Sequence, residues 1–135
     1  MPGGAIADDD LVFASHKWET PAGIPETVYM GHLFVETKRH APSWADLTGE
    51  EASAVGILAS GLSRALKETL GADYVFAAVI GTGVPHFHLH LLARHPDAPP
   101  DLAWHSVDEW AGAPHGDERE VANLSERIRG LLATF

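Results

Sequence analysis

His86-Phe87-His88-Leu89-His90-Leu91-Leu92 alternates imidazole and apolar side chains for six residues before its final leucine. Strict period two is the pattern of a β-strand, in which successive side chains point to opposite faces. His86, His88 and His90 then share one face at steps of about 7 Å, from a rise of roughly 3.3 Å per residue. Phe87, Leu89 and Leu91 share the other face, which belongs to a core. Three imidazoles in a row suit two uses. They can ligate a metal through neutral nitrogens, or handle phosphate with one ring as nucleophile and the others as hydrogen-bond donors. Spacing alone leaves both open.

Immediately upstream, Gly81-Thr82-Gly83-Val84-Pro85 is a turn short enough to make the preceding run an antiparallel neighbour of the histidine strand. That run, Tyr74-Val75-Phe76-Ala77-Ala78-Val79-Ile80, is mostly apolar and reads as a central strand buried on both sides. Before it, Thr48-Gly49-Glu50-Glu51 has the capping-box form that starts a helix. Ala52, Val55, Leu58, Ala59, Leu62, Leu66 and Leu70 follow at helical spacing, and Gly71 stands at the C-cap position. Further back, Thr27 to Glu36 is rich in β-branched and aromatic residues, which predicts a strand carrying His32, with Gly31 marking a bulge or close backbone approach. Trp18 to Glu26, with two prolines and a glycine, reads as a hairpin loop after a first short strand at Asp10 to Ser15.

Downstream of Arg94, His95 to Gly116 holds four prolines and no sustained period, an arm that Trp104 and Trp110 should anchor. Asp117 to Phe135 closes the chain as an amphipathic helix with Val121, Leu124, Ile128, Leu131 and Leu132 on one face. The order of elements predicts one α+β domain over residues 10–135, an antiparallel sheet with helices, preceded by a loose tail at residues 1–9.

A chain of 135 residues can bury a core without staples, and its lack of cysteine removes disulfides, thiolate zinc sites and cysteine nucleophiles. Hard chemistry therefore falls to histidine and carboxylates. A net charge of -10 argues against long nucleic acid or an anionic membrane as partner, since both need a basic face. Met1 to Asp10 carries neither the basic nor the apolar region of a signal peptide, and no apolar run approaches the roughly 20 residues of a membrane span; a cytoplasmic location is expected. Lys38-Arg39-His40 is the densest basic patch, read mainly as a solvated turn. His95, His105 and His115 read as surface histidines.

Gly81 and Val84 followed by His86-Phe87-His88-Leu89-His90-Leu91-Leu92 resemble the histidine-triad signature, His-φ-His-φ-His-φ-φ, where φ is apolar. Gly31-His32-Leu33-Phe34-Val35 and the basic turn after it look like a second family segment, so the resemblance covers roughly residues 11–94. It implies a histidine-triad fold, with an antiparallel sheet of about five strands and two main helices, one of them C-terminal. It also implies hydrolysis or transfer at the α-phosphorus of a nucleotide through a nucleotidyl-histidine intermediate, with dinucleoside polyphosphates or nucleoside phosphoramidates as substrates. On this carry-over His88 is the nucleophile, with a main-chain carbonyl holding its other nitrogen. His90 donates to the phosphate oxygens, and His86 and His32 form a supporting pair behind the nucleophile. Thr82 and Gly83 stand where the family places glutamine and a hydroxyl residue, and with His90 they are the substrate-binding candidates. Ser15 and His16 are the candidates nearest the family's ribose-binding position. The resemblance further implies a homodimer paired through the first helix and a strand edge, with no cofactor and no metal. The alternative is a non-catalytic module that binds a nucleotide or a metal in the same pocket.

Overall fold

The structure, a computed structural model, describes residues 1–20, 22–81 and 85–135. Five strands form an antiparallel sheet in the order β1-β2-β4-β6-β5: β1 (Ala7–Asp8), β2 (Val12–His16), β4 (His32–Thr37), β5 (Tyr74–Ala78) and β6 (His88–Arg94). A separate two-stranded ribbon pairs β3 (Val28–Tyr29) with β7 (His115–Gly116). Two helices, α1 (Gly49–Leu70) and α2 (Glu118–Leu132), complete the α+β fold.

The helix ends follow local chemistry. Thr48 caps α1 and accepts from the Glu51 amide, the Glu51 carboxylate accepts in return from the Thr48 amide, and Gly71 ends the helix in the left-handed region at φ 65°. Asp117 and Glu120 make the same reciprocal box at the start of α2. Val55, Leu62 and Leu66 of α1 and Leu124 and Ile128 of α2 join Leu33, Val35, Phe87, Leu89 and Leu91 in the main core. These strand residues are the odd-numbered ones, so one sheet face is sealed by helices. The even-numbered face is left for chemistry.

Four expectations change. Residues 1–9 are not a loose tail: β1 pairs with β2, and Ile6 is 2% exposed within the main core, because an isoleucine in reach of that core gains by burial. Tyr74 to Ile80 is not a doubly buried central strand; β5 lies at the sheet edge, with Tyr74 58% exposed. The single strand expected from Thr27 is broken at Met30-Gly31 into β3 and β4. Gly31 adopts φ 98°, and a Cβ there would lie 2.8 Å from both Ala93 Cβ and Leu70 Cδ1. That is the close approach its glycine suggested. The strand expected at Asp10 to Ser15 is also shifted, to Val12–His16.

The arm after β6 folds back over the open face. Trp104, Val107 and Trp110 pack with Tyr29, Leu92 and Ala113 in a second apolar cluster. This anchors the arm beside the histidine-bearing part of the sheet.

Candidate active site

Antiparallel register builds the site. Phe34 of β4 lies opposite His90 of β6, and Glu36 lies opposite His88, while His32 is opposite Leu92 and therefore diagonal to His90. His32, Phe34, Glu36, His88 and His90 thus converge on one face from two adjacent strands. His86 precedes β6, outside the regular strand. The chain bends there because the Phe87 amide donates to the Ala41 carbonyl at 2.7 Å, while the Phe87 ring is fully buried and edge-on to Trp44. The His86 and His88 ring centres are accordingly 5.2 Å apart, less than regular strand spacing predicts.

The bend sets the tautomer of His88. Its Nδ1 lies 2.7 Å from the His86 carbonyl oxygen, which can only accept, so Nδ1 carries a hydrogen. In the neutral ring the lone pair then sits on Nε2. Glu36 Oε1 is 3.1 Å from that Nε2 and 3.9 Å from Nε2 of His86.

His32 does not pair with His86. Its Nε2 is 3.0 Å from His90 Nδ1, because the register sets these two side by side and places His86 at the far end of the row. Burial lowers the His32 pKa to about 3, with Lys17, His90 and His16 adding to the shift. Burial likewise lowers that of His90, helped by Lys17 and His88. Both rings are therefore neutral near pH 7. His86 instead stacks on His40, with ring centres 5.8 Å apart.

A cavity of about 270 Å³ opens beside His32 and His90, walled by Lys17, Tyr29, Trp104 and His115 among others. Lys17 is the cation sequence reasoning missed. The basic turn contributes less than its composition suggests: Lys38 is paired with Asp8, and Arg39 with the buried carboxylate of Glu51. Glu36 was also missed, although strand alternation from His32 places it on the histidine face. Among the described residues, no group of three or more His, Asp or Glu side chains is disposed to hold a metal ion.

Two histidines read otherwise from sequence turn out to be structural. His16 is 2% exposed on the core face; its Nδ1 donates to the Lys17 carbonyl at 2.8 Å and its Nε2 accepts from the Gly31 amide at 3.0 Å. With both nitrogens occupied it is no ribose ligand, and Ser15 is 6% exposed. His95, expected at the surface, is 4% exposed, with Nε2 2.8 Å from the Met30 carbonyl. The Met30–Gly31 peptide is thus held on both its C=O and its N–H by imidazoles, one residue ahead of His32. Thr82 and Gly83, the remaining substrate-binding candidates, lie outside the described residues.

Comparison with known proteins agrees with this fold. The HIT domain model matches residues 2–97. An uncharacterized HIT-like protein of Mycoplasma genitalium is 37% identical over 70 residues, 48% of this chain and 50% of that protein. The chain therefore aligns with only about half the length of that curated relative. Among solved structures, a histidine triad protein of Bradyrhizobium japonicum superposes with a TM-score of 0.71 at 25% identity, covering 95% of this chain and 89% of the other. The diadenosine triphosphate hydrolase of Plasmodium falciparum, at 13% identity, gives a TM-score of 0.63 over 98% of this chain and 76% of its own, which is a likeness of fold. With the family model spanning most of the chain and the histidines set on the fold it describes, this protein belongs to the HIT domain family.

Proposed function

We propose that this protein is a nucleotide-phosphate hydrolase or nucleotidyltransferase that acts at the α-phosphorus through a nucleotidyl-His88 intermediate. The observation that carries the reading is the 2.7 Å contact from His88 Nδ1 to the His86 carbonyl, which fixes one nitrogen as donor and, in the neutral ring, leaves the lone pair on Nε2. Nε2 bonds to the phosphorus as the bond to the leaving group breaks; that group departs with the electron pair and takes a proton from solvent. Water then attacks the phosphorus, the P–N bond returns its pair to Nε2, and a nucleoside monophosphate is released with loss of a proton. An alcohol or amine in place of water makes the reaction a transfer.

His90 is suited to stabilise charge on the non-bridging oxygens. We read the 3.0 Å contact with His32 Nε2–H as donor to His90 Nδ1, which leaves the hydrogen of neutral His90 on Nε2 as a preorganised donor. His32 acts through His90 as a positioning residue. Dinucleoside polyphosphates and nucleoside phosphoramidates are the substrate types to test, the first being the class named for the Plasmodium relative. We also propose a homodimer paired through α1 and the β5 edge, where Ile57 is 75% and Tyr74 58% exposed.

Turnover of a panel of both substrate types by wild type and His88→Ala tests the assignment. The variant is expected to lose at least about a thousandfold in kcat/KM, since removing a nucleophile removes the covalent route. Equal activity of the two proteins would remove His88 from its role. Wild-type binding of nucleotides without turnover would favour the non-catalytic module.

A further inference from the structure

We propose that Glu36 selects substrate by charge, admitting an α-phosphorus that bears one negative charge and an uncharged substituent, and disfavouring one joined to further phosphates. The inference rests on the nucleotide reading above and narrows it.

Glu36 projects from β4 onto the reactive face directly opposite His88, and its carboxylate oxygen is 3.1 Å from the attacking nitrogen. Attack brings phosphorus to roughly 3–3.5 Å from Nε2. The phosphate oxygens must then pass within a few ångströms of a fixed negative charge. Like charges about 4 Å apart repel by a factor of roughly five in binding even in bulk water, and by more where solvent is partly excluded. The Glu36 side chain is only 17% exposed, so exclusion is substantial.

One negative charge on the substrate has a compensation that further charges lack. Once Nε2 is bonded to phosphorus and Nδ1 keeps its hydrogen, the ring is cationic, and the adjacent carboxylate stabilises it. A second or third phosphate brings repulsion without enlarging that gain. Nor does the surrounding charge offset it. Lys38 and Arg39 are held by Asp8 and Glu51, leaving Lys17 as the lysine that lines the cavity at His32 and His90. The whole chain carries -10. With Glu36 beside His88 and Asp108 in the cavity wall, two carboxylates face one lysine, so no surplus of positive charge is left to offset further phosphates.

Calorimetry with two unreactive probes tests this: a nucleoside monophosphate methyl ester, singly charged at phosphorus, and the matching α,β-methylene diphosphate. Each is used with adenine, guanine, cytosine and uracil, against wild type, Glu36→Gln and Glu36→Ala. Circular dichroism verifies that each variant is folded. Wild type is expected to bind the ester at least about tenfold more tightly than the diphosphate, with the preference shrinking as salt is added. In Glu36→Gln, which keeps shape and removes charge, the preference should fall by about tenfold, and Glu36→Ala should move it the same way. A preference unchanged within twofold in both variants overturns the role of Glu36 and leaves the nucleotide reading standing. Failure of every probe to bind wild type overturns the nucleotide reading, and the Glu36 assignment with it.

Discussion

His16 and His88 are the same residue type on neighbouring parts of one sheet, and they are held in opposite ways. His16 lies on the sealed face with both ring nitrogens engaged by backbone groups, one donating to the Lys17 carbonyl and one accepting from the Gly31 amide. His88 lies on the open face with one nitrogen fixed by the His86 carbonyl and the other facing only a carboxylate side chain. The difference teaches that what a histidine does here follows from burial together with what holds its nitrogens. A buried ring gripped by backbone groups is architecture, as in His16 and His95, and a partly exposed ring with one nitrogen left to a side chain keeps that nitrogen for chemistry. The buried pair His16 and His95 fixes the Met30–Gly31 peptide, and that peptide leads into His32, so the structural histidines set the stage for the reactive ones.

The contrast can be broken most severely at the clamped peptide itself. Gly31→Ala should destabilise the protein by about 3 kcal/mol, because its Cβ would meet Ala93 and Leu70 at 2.8 Å in a positive-φ conformation; urea denaturation measures the loss. His16→Ala should cost about 2 kcal/mol by the same measurement, leaving the buried Gly31 amide without its acceptor and a void beside it. A cost below about 0.5 kcal/mol would mean that the imidazole is not holding the turn.

Acidification sharpens the comparison more gradually. The pKa values of His16 and His32 are lowered from the ordinary 6.5, mainly by burial and to about 3 for His32, so the folded state binds fewer protons than the unfolded state. Stability from these groups is full above about pH 6.5 and is lost as pH falls from there towards 3. Urea midpoints should therefore fall between pH 7 and pH 5. That window lies above the one governed by Glu51, whose carboxyl is held at about 2 chiefly by Arg39 and which loses stabilisation only as pH drops below its ordinary 4.5. The smallest effect on stability is expected for His88→Ala, within about 0.5 kcal/mol of wild type, as for a partly exposed side chain outside the core. The same substitution has the largest effect on turnover.

Features governed by nearby residues were legible in the sequence. Thr48, Glu51 and Gly71 mark the ends of α1 because capping is decided within a few residues, and Gly31 announced the crowding that the fold imposes. The histidine face was legible from alternation, and the chemistry assigned to it came from the family motif. Non-local features were not legible. Tyr74 to Ile80 is apolar enough for a central strand, yet its edge position depends on having β6 on one side only. Nothing in the local sequence separates His95, gripped by a carbonyl 65 residues away, from a solvated histidine. The partner of His32 was misassigned for a related reason, since β4–β6 register is fixed by long-range pairing. Glu36 could have been found by continuing the alternation from His32 through Phe34.

The central claim is that Nε2 of His88 becomes covalently joined to a nucleotide's phosphorus. Rapid acid-free quenching of wild type with a nucleoside phosphoramidate, followed by peptide mass spectrometry under alkaline conditions that preserve P–N bonds, tests it directly. The account predicts a nucleoside monophosphate adduct on His88, absent in His88→Ala. Turnover at a normal rate with no adduct at His88, or with the adduct on His86 or His90, would contradict it.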